Sequence, residues 1–216
     1  MDRFVTREPG RQTRHSFSFG SFYDPERVSF GSMVALNDEL LASGAGYDAH
    51  DHTDLVLVTW VVSGALDHVD DGGHVGQPAG ELAVTRAGTG ITHSERAGDH
   101  ATRFVQAWLR PGEYGEDPSR STSTPDLSGG DLVTVADETD LGVPGATYRI
   151  ADLPAGTTVS LPEAPLRYVF VATGALVRSS LAEPLSAGDA FEITGDHDVV
   201  VTAAVPTQLL VWSFAE

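Results

Sequence analysis

The sequence predicts an all-β protein made of two copies of one barrel-type unit, and three observations lead there. Glycine and proline break the chain 23 and 12 times, and the longest stretch free of both is the 17 residues from Tyr47 to Ser63. Long helices have little room. Between the breaks, short runs of β-branched and aromatic residues recur at strand length, the pattern of a sandwich or barrel. Finally, the chain repeats itself: WVVSGAL at 60 to 66 resembles FVATGAL at 170 to 176, and PAGELAV at 78 to 84 resembles SAGDAFEI at 186 to 193, at offsets of 110 and 108 residues. Two units of roughly 80 to 100 residues account for the length.

In chain order, the strand candidates are SFSF at 16 to 19, MVAL at 33 to 36, LVLVTWVV at 55 to 62 and FVQAWL at 104 to 109, followed by LVTVA at 132 to 136, RYVFVA at 167 to 172, VVVTAAV at 199 to 205 and LLVWSF at 209 to 214. DDGG at 70 to 73 reads as a turn. PGEYGEDPSRSTSTPDLSGGD at 111 to 131 is polar and rich in Pro, Gly and Ser, and reads as a connection. The expected organisation is a first domain over 1–112, a linker over 113–131 and a second domain over 132–216.

Composition removes whole classes of chemistry. With 31 acidic against 13 basic residues the formal charge is -18, which disfavours direct nucleic acid binding and anionic membranes. Every basic residue is Arg, so a Schiff-base lysine is impossible. The absence of Cys excludes thiol catalysis, disulfides and cysteine-ligated metals. No apolar run approaches the ~20 residues that span a bilayer, and the N-terminal stretch lacks the apolar segment of a secretory signal, so a cytoplasmic location is expected.

The remaining chemistry belongs to His, carboxylates and hydroxyls, and it concentrates in the first copy. GAGYDAHDHTD at 44 to 54 carries His50 and His52, two apart and therefore on one face of a strand. GTGITHSE at 88 to 95 offers His93 and Glu95 at the same spacing. Two such pairs on neighbouring strands would converge three nitrogens and one oxygen, a metal-site pattern. Such a donor set, without thiolate, suits one divalent ion among iron, nickel, copper, cobalt, manganese and zinc.

Gly44, His50 and His52 match the Gly-x5-His-x-His core of the first cupin motif. HSFSFGSFYDP at 15 to 25, FGSMVALND at 30 to 38, AHDHTD at 49 to 54, SGALDHVDD at 63 to 71, PAGELAVTRAGTGITHSE at 78 to 95 and FVQAWLRP at 104 to 111 are similar to successive blocks of the pirin family. The resemblance covers roughly the first half of the chain; the second half shares only the strand pattern. It implies a bicupin, two β-barrel (double-stranded β-helix) domains packed face to face, with a metal-binding N-terminal cupin domain and a degenerate C-terminal one. It carries the metal ligands onto His50, His52, His93 and Glu95, and it implies Fe(II). Pirins usually place a Glu where this chain has Val56, and a Glu often stands where it has Ser63. The loss at Val56 leaves Glu95 as the acid–base group beside the metal. In the second copy the motif positions fall near Ser160 and Pro162, and His197 alone cannot hold a metal.

The associated activity is that of quercetin 2,3-dioxygenase. A flavonol-like small molecule would chelate through its 3-hydroxyl, Glu95 or a nearby base would take the proton, and dioxygen would open the heterocycle with release of carbon monoxide. Pirins are also described as metal-dependent, redox-sensitive regulators without catalysis, and that reading implies a protein partner. Among the other histidines, His15, His74, His100 and His197 read as surface or turn residues. His68 lies on a strand after Gly64 and reads either as a pocket residue or as a hydrogen-bonded interior one. Trp60, Val56 and Val58 read as core, although Trp60 would be in phase with His50 and His52 if no bulge intervened.

Overall fold

The computed structural model describes residues 4–177, 185–195 and 197–215. The chain forms β1 (Phe4–Glu8), β2 (Arg11–His15), β3 (Met33–Leu41), β4 (Gly46–His52), β5 (Val56–Ser63), β6 (Ala65–Asp70), β7 (Gly73–Pro78), β8 (Leu82–Arg86), β9 (Ile91–Ala97), β10 (Thr102–Leu109) and β11 (Ser119–Ser123). It continues through β12 (Val133–Ala136), the single-turn α1 (Glu138–Leu141), β13 (Thr147–Leu153), β14 (Thr158–Ser160), β15 (Leu166–Thr173), β16 (Ala190–Thr194), β17 (Val200–Thr202) and β18 (Thr207–Phe214). The protein is all-β, as its breaker-rich sequence predicts, and two compact units divide it. One runs to Thr124 and takes in Leu141–Val143; the other holds Pro125–Asp140 and the chain from Pro144 onward.

The first unit consists of a seven-stranded antiparallel sheet, in the order β1-β2-β3-β10-β5-β8-β11, and a four-stranded one, in the order β4-β9-β6-β7. Central strands read as near-continuous apolar runs because both faces are covered: in β5 the residues from Val56 to Val61 are all buried. Leu41, Val61, Leu66, Ala97 and Phe104 form a cluster closed by Tyr47. Trp60 is 1% exposed and belongs to the core. It stands on β5, in a different sheet from the β4 histidines, so the two are not in phase along one strand.

The second unit has a five-stranded sheet, in the order β12-β13-β18-β15-β16, and the pair β14-β17. Its interior is aliphatic, with Leu153, Val169, Val171, Leu209 and Val211 all buried in one cluster. Each such side chain contributes about 1.5–3 kcal/mol on burial. Ser160 ends β14 exposed, and His197 is exposed. Arg167, fully buried, donates to the carbonyls of Pro162 (3.2 Å), Gly195 (2.9 Å) and His197 (2.8 Å).

The internal repeat appears as one turn device used twice. Gly64 and Gly174 both take positive φ, 81° and 78°. A Cβ at either would strike a threonine hydroxyl, Thr102 Oγ1 at 2.6 Å or Thr207 Oγ1 at 2.5 Å, so only glycine fits. Each hydroxyl then donates to the carbonyl of the next residue, Ala65 (2.7 Å) or Ala175 (2.9 Å). Beside them Ala79 N–H bonds the carbonyl of Gly64 and Ala187 N–H that of Gly174.

Two expectations change. SFSF is not a strand: the extended segment is β2, which pairs with β1 and β3 and stops at His15, and Phe19 makes only an isolated bridge to Phe22. Within the segment read as a connection, residues 119–123 form β11, an edge strand on β8 that Ser and Thr hydroxyls keep exposed.

Candidate metal centre

The site is built by register. β4 and β9 pair antiparallel with His50 opposite His93, while β6 lies on the other side of β9 with His68 opposite Glu95. Residues directly opposite share a face, so one face of three strands carries all four side chains. β4 approaches β9 closely because Gly46 has no side chain: a Cβ there would lie 2.1 Å from the Glu95 carbonyl oxygen. A bulge follows, since two residues separate Tyr47 from His50 where one separates Glu95 from His93. The extra residue brings Tyr47 and His50, three apart in sequence, onto the same face.

His50, His52 and His93 each offer a ring nitrogen within 4.8 Å of the others, and His68, His93 and Glu95 form a second such group. Three of the four expected ligands therefore fall in one group, while Glu95 falls in the other, with His93 common to both. His50 Nδ1–H donates to the Asp48 carbonyl (2.8 Å), an acceptor only, which leaves Nε2 as the atom that faces the other rings. That atom lies 3.1 Å from His93 Nε2. His52 Nε2 is buried with no hydrogen-bond partner. Imidazole nitrogens that converge, one of them buried without a partner, are costly to bury unless a cation meets them, so the donor set fits a metal ion.

Electrostatics keep these rings ready as ligands. Burial, then the charge of His50, lowers the His52 pKa to about 4. Burial, then the charges of His50 and His52, lowers that of His93 to about 3. Both are neutral at neutral pH, the state a metal requires. Glu95 is pushed up by complete burial, against the pull of Gln106. Gln106 is itself oriented: Trp108 Nε1–H donates to its Oε1 (2.7 Å), so its amide N–H groups donate to Glu95 Oε1 (2.9 Å) and Oε2 (3.2 Å) and to Thr59 Oγ1 (3.1 Å).

A cavity of about 260 Å³ opens beside His50 and Glu95, with Phe19, Tyr47, Phe104 and Trp108 among its walls. Its polar side was not anticipated. Glu39 is buried there and accepts hydrogen bonds from Thr13 Oγ1 (2.6 Å) and Tyr47 OH (2.8 Å). Burial pushes this carboxyl up to about 7. Glu95 is thus not alone as an acid–base group, whatever Val56 removes. Val56 itself is core, 1% exposed. His15, read as a surface residue, is 3% exposed, hydrogen-bonds Asn37 (Nδ1 to Oδ1, 2.9 Å) and stacks on Phe19 at 4.5 Å. Its hydrogen-bond partner Asn37 lies on β3, which spacing within its own strand does not reveal. His74 and His100 are exposed, as expected. The signals overlooked were polar residues inside apolar strands, Glu39 in MVALNDELL and Gln106 in TRFVQAWL.

A His-x-His strand paired with a His-x-Glu strand, in an all-β chain that carries its barrel unit twice, defines a bicupin. The chain belongs to the pirin family, whose model matches residues 1–109. A Mycobacterium tuberculosis protein provisionally named as a quercetin 2,3-dioxygenase is 39% identical over 228 residues, covering 98% of this chain and 91% of its own. Quercetin 2,3-dioxygenase of Escherichia coli K12 is 38% identical over 107 residues, 48% of this chain and 46% of its own. The crystal structure of the bacterial pirin YhhW from Escherichia coli, in complex with nickel(II), superposes with a TM-score of 0.87 at 25% identity, covering 98% of this chain and 95% of that one. Among the described residues no helix is long and apolar enough to cross a membrane.

Proposed function

We propose that the chain is a metal-dependent dioxygenase of the quercetin 2,3-dioxygenase type, with the first unit catalytic and the second structural. His50, His52, His93 and Glu95 hold one divalent ion, Fe(II) in this reading. The observation that carries it is the convergence of three imidazole nitrogens, one of them buried without a partner, with His50 of that group among the walls of a small-molecule cavity. Supporting it are the nickel(II) in the bacterial pirin and the names of the relatives.

Bound there, the ion would supply Lewis acidity to an enolic oxygen and redox chemistry to dioxygen. The chain's own residues do the rest. Trp108, Phe19 and Tyr47 receive a flat aromatic ring, and the volume, just below the roughly 300–1,000 Å³ typical of ligand pockets, sets a small substrate. Glu95 accepts the substrate hydroxyl proton as a carboxylate lining the cavity. Gln106 and Trp108 keep the carboxylate aimed as it does so.

The test is oxygen uptake and carbon monoxide release over a panel of flavonols, catechols and enols, normalised to bound iron, in wild type and Glu95→Gln. Wild type is expected to turn over at least the flavonol. The amide can still offer an oxygen to the ion but cannot take the proton, so Glu95→Gln should lose more turnover than iron, by about 10²-fold or more. An iron-loaded wild type inert towards the whole panel overturns the enzyme reading in favour of a regulator that binds a partner protein. Unchanged turnover per iron in Glu95→Gln removes Glu95 as the base.

A further inference from the structure

We propose that Glu39 is a specificity-determining residue of the cavity: its Oε1 receives a second hydroxyl group of the substrate, at the end away from the metal. The proposal rests on the flavonol-type reading given above and deepens it, by narrowing the substrate to an enol that carries a further hydroxyl.

Glu39 comes from β3, in the seven-stranded sheet, whereas His50 and Glu95 come from the four-stranded one, and all three line the same cavity. Thr13 Oγ1 (2.6 Å) and Tyr47 OH (2.8 Å) both hold Glu39 Oε2, and the two hydroxyls lie 3.0 Å from each other, so protein encloses that oxygen. Neither bonds Oε1, which is therefore the atom that Glu39 presents to a ligand. Tyr47 spans the distance to the metal ligands: its hydroxyl reaches Glu39, while its ring meets that of His50 edge-on at 6.1 Å. An aromatic ligand lying along Tyr47, with its enolic oxygen towards His50 and Glu95, ends at Glu39.

The other walls decide the chemistry of that end. Arg11 is held by Glu8, by the Gly46 carbonyl (3.1 Å) and against the Tyr47 ring at 4.4 Å. His15 has both ring nitrogens engaged, with Asn37 (2.9 Å) and Thr6 (3.1 Å). Neither is left for an anionic tail, which would also add a third acid group to Glu39 and Glu95. A hydroxyl both donates and accepts, so it bonds Oε1 whether the carboxyl is ionised or protonated. A bare ring would strip water from Oε1 and return no bond, and the site discriminates against it.

The experiment measures ligand affinity by tryptophan fluorescence on nickel(II)-loaded protein, without dioxygen, for 3-hydroxyflavone, 3,7-dihydroxyflavone and 3,4′-dihydroxyflavone. At least one dihydroxy compound should bind wild type about tenfold more tightly than 3-hydroxyflavone. In Glu39→Met, which keeps the length and no oxygen, that ratio should fall to near one. In Glu39→Gln, whose amide can still meet a hydroxyl, it should stay within a few-fold of wild type. A ligand-side test on wild type alone replaces the preferred hydroxyl by fluorine, close in size but unable to donate and poor at accepting, and should abolish the gain. Equal binding of all three flavones by wild type, a preference kept in Glu39→Met, or undiminished binding of the fluoro compound overturns the proposal and leaves the cavity a flavonol site. Binding of none of the three overturns the flavonol reading itself, and the proposal with it.

Discussion

Glu39 shows what one buried carboxyl does to both site and stability. It lies opposite Thr13 across the β2–β3 pair, and the two donors on its Oε2 do not offset the loss of water. Burial raises its pKa from 4.5 to about 7. Between those values the folded protein keeps a proton that the unfolded chain has released. Stability is therefore fully present below pH 4.5 and falls as pH rises towards the folded value, by about 3 kcal/mol. Glu39→Gln removes this titration. Urea unfolding of the metal-free variant from pH 5 to 7 should show a shallower fall than wild type, by close to one proton. An identical pH slope in the two would mean that Glu39 is ionised in the folded state and that its environment has been misread.

At the scale of elements, β4 matters more than its length suggests, because two irregularities decide where its histidines point. The bulge after Tyr47 turns Tyr47 and His50 to one face, and Gly46 sets the distance to β9. A methyl group at Gly46 would meet the Glu95 carbonyl at 2.1 Å and Arg96 Cα at 2.6 Å, both backbone, so the strands must separate. Gly46→Ala is expected to cost about 1–3 kcal/mol in urea unfolding and to weaken nickel(II) binding as His50 moves from His93. Unchanged stability together with unchanged affinity would show that the β4–β9 spacing is not what assembles the site. The β3–β10–β5 ladder plays the complementary part: Gln106 lies between Asn37 and Thr59, and from there it holds Glu95.

The whole molecule carries one fold unit twice and develops it in two directions. In the first unit the inward face of β4, β9 and β6 bears His50, His93, Glu95 and His68; in the second, aliphatic residues such as Val169 and Val211 fill the interior. One ion per chain is therefore expected by elemental analysis after nickel(II) loading, with a sharp loss in His52→Ala. Nickel(II) should also raise the thermal midpoint of wild type, by mass action on the folded state, and leave that of His52→Ala nearly unmoved. Two ions held with similar affinity would require a second site outside the His50 cluster.

Local periodicity reached as far as the strand and no further. Two-residue spacing put His50 with His52 and His93 with Glu95, breakers and β-branched runs gave the all-β class, and the Gly-Ala-Leu repeat marked the duplication, because each depends only on neighbours along the chain. The tertiary structure decided what depends on pairing. Which strand lies beside which brought His68 to Glu95 and Glu39 to Thr13, residues that are 27 and 26 apart in sequence. The bulge in β4 reversed the facing of Tyr47 relative to simple alternation, and no residue type announces it. His15 was read as exposed because its partner Asn37 lies on the next strand. Register is set by the sum of contacts along whole strands and by turn geometry, so it is absent from any short window of sequence, and with it went the second carboxyl of the pocket and the approach of His68 to His93.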